Sequence, residues 1–225
     1  MIHKASIRTL LILLACFLTS PLAAKDKMPE STKDGLKLVH QHELGAVYLK
    51  PGATLAAYDK VKILDVYVAF KKNWQRDYNR EEMDLGHRVT DKDVERIKEK
   101  LAAEFPAVFK KNLEKGGYTV VDDTGPDVLL LRPAIIDLTV TAPDVMSAGI
   151  SRTFVRSAGT MTLYMELYDS QTSEKFAEVL DAEEAGNGFA QEANRVTNRF
   201  EFDRTLEEWA SILVKRLDEA HKVSQ

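Results

Sequence analysis

The stretch VKILDVYVAF, residues 61–70, decides how the rest of the chain is read. Val61, Ile63, Leu64, Val66, Tyr67, Val68 and Phe70 form a β-branched and aromatic run of strand length, apolar on both faces. Such a run belongs in the middle of a sheet, because both of its surfaces need cover. Residues 71–89 then turn highly charged and read as a long surface connection, with Trp74 and Tyr78 set among Arg76, Asp77, Arg80, Glu81 and Glu82. Thr90-Asp91-Lys92-Asp93 has the chemistry of a helix start: a hydroxyl cap, with acids in the first turn to complement the helix dipole. Val94, Ile97, Leu101, Phe105, Val108 and Leu113 recur at helical spacing, and Gly116-Gly117 stops the helix. Pro106 removes one backbone bond, so a kink is expected there. Residues 118–121 make a short strand. Strand, helix and strand in this order form a parallel crossover, right-handed by the usual rule.

Further outward, residues 127–141 read as a long strand. Its first half is apolar throughout, and its second alternates Ile136, Leu138 and Val140 against Asp137, Thr139 and Thr141. One end is therefore expected to be buried on both faces and the other open to water on one. After a loop over 142–149, residues 153–168 alternate again, a polar turn follows over 169–174, and 176–182 form the return strand. A second amphipathic helix is expected over 203–220, with Leu206, Trp209, Leu213 and Leu217 as its buried stripe. On the other side of the opening run, a short strand is expected around 46–49 and a turn at Pro51-Gly52. The whole reads as an α+β protein. It is a two-layer sandwich with a mixed sheet of about five strands, a parallel strand-helix-strand unit plus an antiparallel meander, and two amphipathic helices on one face.

The N-terminus speaks to compartment. Residues 1–24 carry Lys4 and Arg8, an apolar run over 10–18, and Ser20-Pro21-Leu22-Ala23-Ala24, the pattern of a secretory signal peptide cleaved between Ala24 and Lys25. Residues 25–35 follow as a polar, flexible leader, and 36–225 as a single domain. Cys16, behind Leu13-Leu14-Ala15, offers the alternative of lipidation and membrane tethering, but Phe17-Leu18 continue the apolar run where small polar residues would be expected. The run is short of the ~20 residues of a spanning helix. The chain is thus expected in the periplasm, or on a membrane if lipidated.

Cys16 is the chain's one cysteine, so a cleaved protein has no disulfide, thiol nucleophile or cysteine metal site. The signal segment holds two of the 31 basic residues and none of the 35 acids, which takes the formal net charge from −4 to −6 on cleavage. Mild acidity spread along the chain gives no nucleic-acid footprint.

Chemistry-bearing patterns are sparse. His40-x-His42 has the spacing for two metal ligands on a strand face, with a third to come from Glu43 or from far away, but no second His/Asp/Glu cluster at ligand spacing supports it, and no metal or cofactor is expected. No Gly-x-Ser-x-Gly or Ser-x-x-Lys appears, and His87 and His221 have no recognisable orienting partner. Asp65 and Asp137 sit within apolar strands, either as buried acids for hydrolysis or at a rim, paired with an arginine such as Arg132. Arg152 and Arg156, among Gly149, Ser151, Thr153, Ser157 and Gly159, suit either an anion pocket or an aggregation-resistant sheet edge. Trp74 and Tyr78 suit either partner anchors or packing back on the sheet.

The chain resembles the bacterial exported family called domain of unknown function 3313, over about residues 34–220. The resemblance rests on Tyr48-Leu49-Lys50-Pro51-Gly52, Tyr58-Asp59-Lys60-Val61, Gly125-Pro126-Asp127-Val128-Leu129, Leu131-Arg132-Pro133-Ala134-Ile135-Ile136, Ser147-Ala148-Gly149 and Leu167-Tyr168-Asp169-Ser170. It implies a periplasmic protein or lipoprotein of Gram-negative bacteria and lends no catalytic residue. Together these readings point to a non-enzymatic accessory or interaction protein of the cell envelope, with an envelope component as partner. A binding module for a small anion or envelope glycan is the alternative, and a hydrolase using buried carboxylates is the second.

Overall fold

Residues 28–39, 43–141, 143, 153–155, 157–186, 191–193 and 195–223 are described in the structure, a computed structural model. In chain order they form β1 (Lys37–Val39), β2 (Ala46–Leu49), β3 (Lys60–Ile63), β4 (Tyr67–Phe70) and α1 (Trp74–Glu81). There follow α2 (Asp91–Lys115), β5 (Thr119–Val120), β6 (Val128–Val140), β7 (Thr153–Val155) and β8 (Gly159–Asp169). The last are β9 (Lys175–Ala185), β10 (Gln191–Ala193) and α3 (Arg195–Val223). The main sheet is open and mixed, in the order β1-β2-β9-β8-β6-β3-β5, with β4 also on β6, while β7 and β10 make a separate ribbon. The α+β class stands. The sheet is wider than expected, eight strands rather than about five, and the helices number three among the described residues.

β6 is the axis. β3 and β4 lie parallel along one of its edges and β8 antiparallel along the other, with β9 and β2 continuing the meander. The opening run is therefore two strands with a break, and Pro133 supplies the cause. Residues 64–66 lie opposite Arg132-Pro133, where proline has no N–H for the ladder. That segment has one residue more than β6; Asp137, at φ 49°, then gives β6 an extra residue and restores the register. β8 begins at Gly159, whose φ of 148° and contact with the Thr139 carbonyl leave no room for a side chain.

α2 starts as its sequence dictates. Thr90 Oγ1 accepts from the Asp93 N–H and Asp93 reaches back to the Thr90 N–H, a complete capping box. The helix runs through Pro106 and ends at Gly116. The charged segment after β4 holds α1, whose Trp74 stacks on Phe70 with ring centroids 4.3 Å apart. α2 and α3 bury their stripes against one face of the sheet: Phe105, Phe109, Leu113, Leu206, Trp209 and Leu217 join Val61, Leu129, Leu131, Ile135, Leu163 and Met165 in one core. Residues 30–38 close a turn onto β1, with the Leu38 N–H donating to the Glu30 carbonyl and Leu36 buried.

Candidate functional site

Two helices packed 8–10 Å apart cover a width of about four strands at 4.7–4.9 Å each. This sheet is wider. α2 lies over the β4 and β5 side and α3 over β9, so cover runs short towards β2. There, between α3 and the sheet, lies a cavity of about 500 Å³, within the range of ligand pockets. Its floor is Val47 of β2, Leu163, Met165 and Leu167 of β8, and Ala177 and Val179 of β9. Trp209, Ile212, Leu213 and Ala220 of α3 form the roof, and Leu44, Leu55 and Phe176 close the sides. Small side chains at Ala177 and Ala220, on facing layers, leave the space open.

Buried polar groups fix this frame. Asp181, 5% exposed, accepts from Trp209 Nε1 and from the Gly45 N–H, both at 2.7 Å. One carboxylate thus ties α3 to β9 and to the start of β2. The side wall is held by Tyr58, which stands against Phe176 and donates to Asp169 at 2.7 Å. The Thr172 N–H, then the Tyr58 hydroxyl, hold the Asp169 carboxyl down at about 2, and burial and Asp169 push the Tyr58 phenol up to about 12. Lys50 pairs with Glu174 beside this wall.

The rim is charged and internally balanced. Glu43 accepts from Lys215 at 2.5 Å and from Arg216 at 2.6 Å, and Arg216 also donates to Glu219 at 2.7 Å. The bond from Lys215, with the Arg216 charge beside it, keeps the Glu43 carboxyl below its ordinary value. A second charged group lies on the opposite face of the sheet. Lys175 Nζ meets Glu166 at 2.6 Å and Asp34 at 2.7 Å, while Arg132 reaches Glu166 at 3.2 Å. Burial raises the Glu166 carboxyl, but bonds from Lys175, Tyr168 and Tyr164 outweigh it and hold it low. These partners satisfy one another.

The residues singled out from sequence fall elsewhere. Trp74 is buried and Tyr78 half-buried, packed with Phe70, Val89 and Val140 at the end of the sheet. Asp65 and Asp137 are both exposed, so neither is the buried acid that the hydrolase alternative requires, and Arg132 pairs with Glu166 instead. His87 lies 3.5 Å from Asp84, and His221 Nδ1 is 2.8 Å from the Leu217 carbonyl. Arg152 and Arg156, His40 and His42, Cys16, and the cleavage site at Ala24 and Lys25 lie outside the described residues. Among the described residues no group of three or more His, Cys, Asp or Glu is placed to hold a metal ion, and no helix is long and apolar enough to cross a membrane. The cavity was missed because its walls read as ordinary core; Ala177 and Ala220 on apolar stripes were the available signal.

An open mixed sheet under two long helices, with an apolar cavity at their uncovered margin, defines an α+β protein with a candidate ligand site. The chain belongs to the family described as "Protein of unknown function (DUF3313)", whose model matches residues 31–213. Among solved structures it is similar to the PelC dodecamer from Paraburkholderia phytofirmans, at 10% identity, covering 76% of this chain and 95% of that one, with a TM-score of 0.39. It is also similar to a minor lipoprotein from Acinetobacter baumannii, at 9% identity, 71% and 92% coverage and a TM-score of 0.33. A third is a DUF330 protein from Xanthomonas campestris, at 12% identity, 79% and 94% coverage and a TM-score of 0.36. A search of curated proteins returns no match.

Proposed function

We propose that this chain is an exported, non-enzymatic accessory protein of the cell envelope, and that it works by holding an apolar ligand in the cavity beneath α3. The cavity carries the reading: about 500 Å³ of apolar-walled space whose buried polar neighbours, Trp209 and Asp181, already satisfy each other. A site built this way offers desolvation and shape to a ligand. Export is supported by the signal pattern of residues 1–24, with Lys25 as the first residue of the mature protein.

The binding half of this reading is tested with N-phenylnaphthylamine, an uncharged probe that fluoresces when it leaves water. Saturable one-to-one binding is expected, and it is lost in Ala220→Phe, on α3, and in Leu49→Trp, at the lining residue that ends β2. Absence of saturable binding, or binding unchanged in both folded variants, overturns it. Mass spectrometry of the protein from fractionated cells tests the compartment. A periplasmic chain beginning at Lys25 is expected; an acylated Cys16 would place it on a membrane instead, and an intact N-terminus in the cytoplasm would contradict export.

A further inference from the structure

We infer that the cavity takes the alkyl chain of a single-chain amphiphile whose polar end is uncharged or zwitterionic. This rests on the cavity being a ligand site and adds the class of ligand. The wall is aliphatic on nearly every side: Val47, Leu163, Leu167, Val179, Ile212 and Leu213 outnumber the two rings, Phe176 and Trp209. Met165 in the floor adds a side chain that adapts to a flexible occupant. Phe176 and Trp209 give a flat aromatic probe a foothold, while a methylene chain gains from every position along such a wall.

Polarity in the lining is limited to three residues, of which Thr54 is exposed on the loop after β2 and its hydroxyl accepts from the Ala56 N–H. The charged lining residues, Arg216 and Glu219, both belong to the last turns of α3, whereas the buried Trp209 Nε1–H and Asp181 carboxylate are bonded to each other. The inserted part of a ligand meets no polar group in need of a partner, so its own polar end stays at the rim. Charge at the rim then selects the head. Lys215, Glu43, Arg216 and Glu219 form an alternating row in which each cation already holds a carboxylate. An anionic head would have to draw Arg216 or Lys215 away from Glu43, and a cationic head would compete with those two for the same carboxylates. An uncharged or zwitterionic head joins the row without breaking a pair.

Displacement of N-phenylnaphthylamine tests this. Octyl-, decyl- and dodecylphosphocholine, each below its micelle concentration, should displace the probe with affinity rising about fourfold per added methylene. Laurate should bind at least tenfold more weakly than dodecylphosphocholine. Glu43→Gln, outside the cavity wall and checked for folding by its melting curve, should narrow that gap by raising the affinity for laurate. A flat chain-length series, laurate binding as tightly as dodecylphosphocholine, or failure of every alkyl probe to displace N-phenylnaphthylamine overturns the ligand class and leaves the cavity as a site for something else. Absence of the N-phenylnaphthylamine signal from the native protein overturns both.

Discussion

The two halves of the helix-covered face are made of the same kinds of residue and finish differently. Under α2, Phe105 and Phe109 stack with centroids 4.0 Å apart and close over Val61, Leu129 and Leu131, all at or near zero exposure. Under α3, an equally apolar floor of Leu163, Met165, Val179 and Val47 meets a helix that does not reach across it, and a cavity remains. Hydrophobicity does not distinguish the halves. Coverage does: one helix is centred on its strands, and the other lies beside a sheet that continues past it. A hollow core here is a consequence of sheet width.

Substitutions can break this contrast, beginning with the strongest effect. Phe105→Ala removes a ring from the closed half and should cost about 3–5 kcal/mol in chemical denaturation. Ile212→Ala, trimming the cavity roof, should cost about 1 kcal/mol or less, because that side chain already borders open space. Equal losses would mean that the two halves are packed alike. Asp181→Ala leaves the buried Trp209 Nε1–H without its acceptor, whereas the Gly45 N–H, on an exposed residue, can turn to water, so the loss should be about 1–3 kcal/mol. A loss below 1 kcal/mol would show that the roof of the cavity is held by other means.

Enlarging side chains should give opposite signs in the two halves. Val61→Phe overpacks the closed half and should destabilise by about 1–3 kcal/mol. Ala220→Phe fills the hollow half and should stabilise by about 0.5–2 kcal/mol while abolishing probe binding. Destabilisation by both would remove the distinction.

The smallest effect concerns acid. Asp169 has a folded pKa of about 2, below its ordinary 3.8, so its contribution is complete above about pH 4 and is lost as the pH falls through about 2. Because Asp169 is half-exposed, that contribution is on the order of 1 kcal/mol after solvent screening. Asp169→Asn should flatten the pH dependence of stability between about pH 4 and 2. An unchanged slope would show that the bond from Tyr58 does not hold the side wall.

Much of the architecture is written locally, and the site is not. The Thr90–Asp93 capping box and the stripe through Leu101, Phe105 and Leu113 announce α2 unaided, and the long strand over 127–141 needs only its own pattern. The break in 61–70 was out of reach because its cause, Pro133, lies on the neighbouring strand. α1 was hidden by charge: Trp74 and Tyr78 turn inward against Phe70 while Arg76, Arg80 and Glu81 face water. The cavity depends on a distance between layers that no stretch of sequence encodes, and on small side chains at Ala177 of β9 and Ala220 of α3, which both line it. Its rim joins Glu43 to Lys215 and Arg216, residues from opposite ends of the chain.

Methyl NMR during titration with dodecylphosphocholine is the most direct test of the cavity as a ligand site. Met165 lines it, while Met83 stands exposed on the loop after α1, remote in sequence from every residue of the wall. Binding in the cavity should move the Met165 methyl resonance saturably and leave Met83 in place. An unmoved Met165, or a shift confined to Met83, would contradict it.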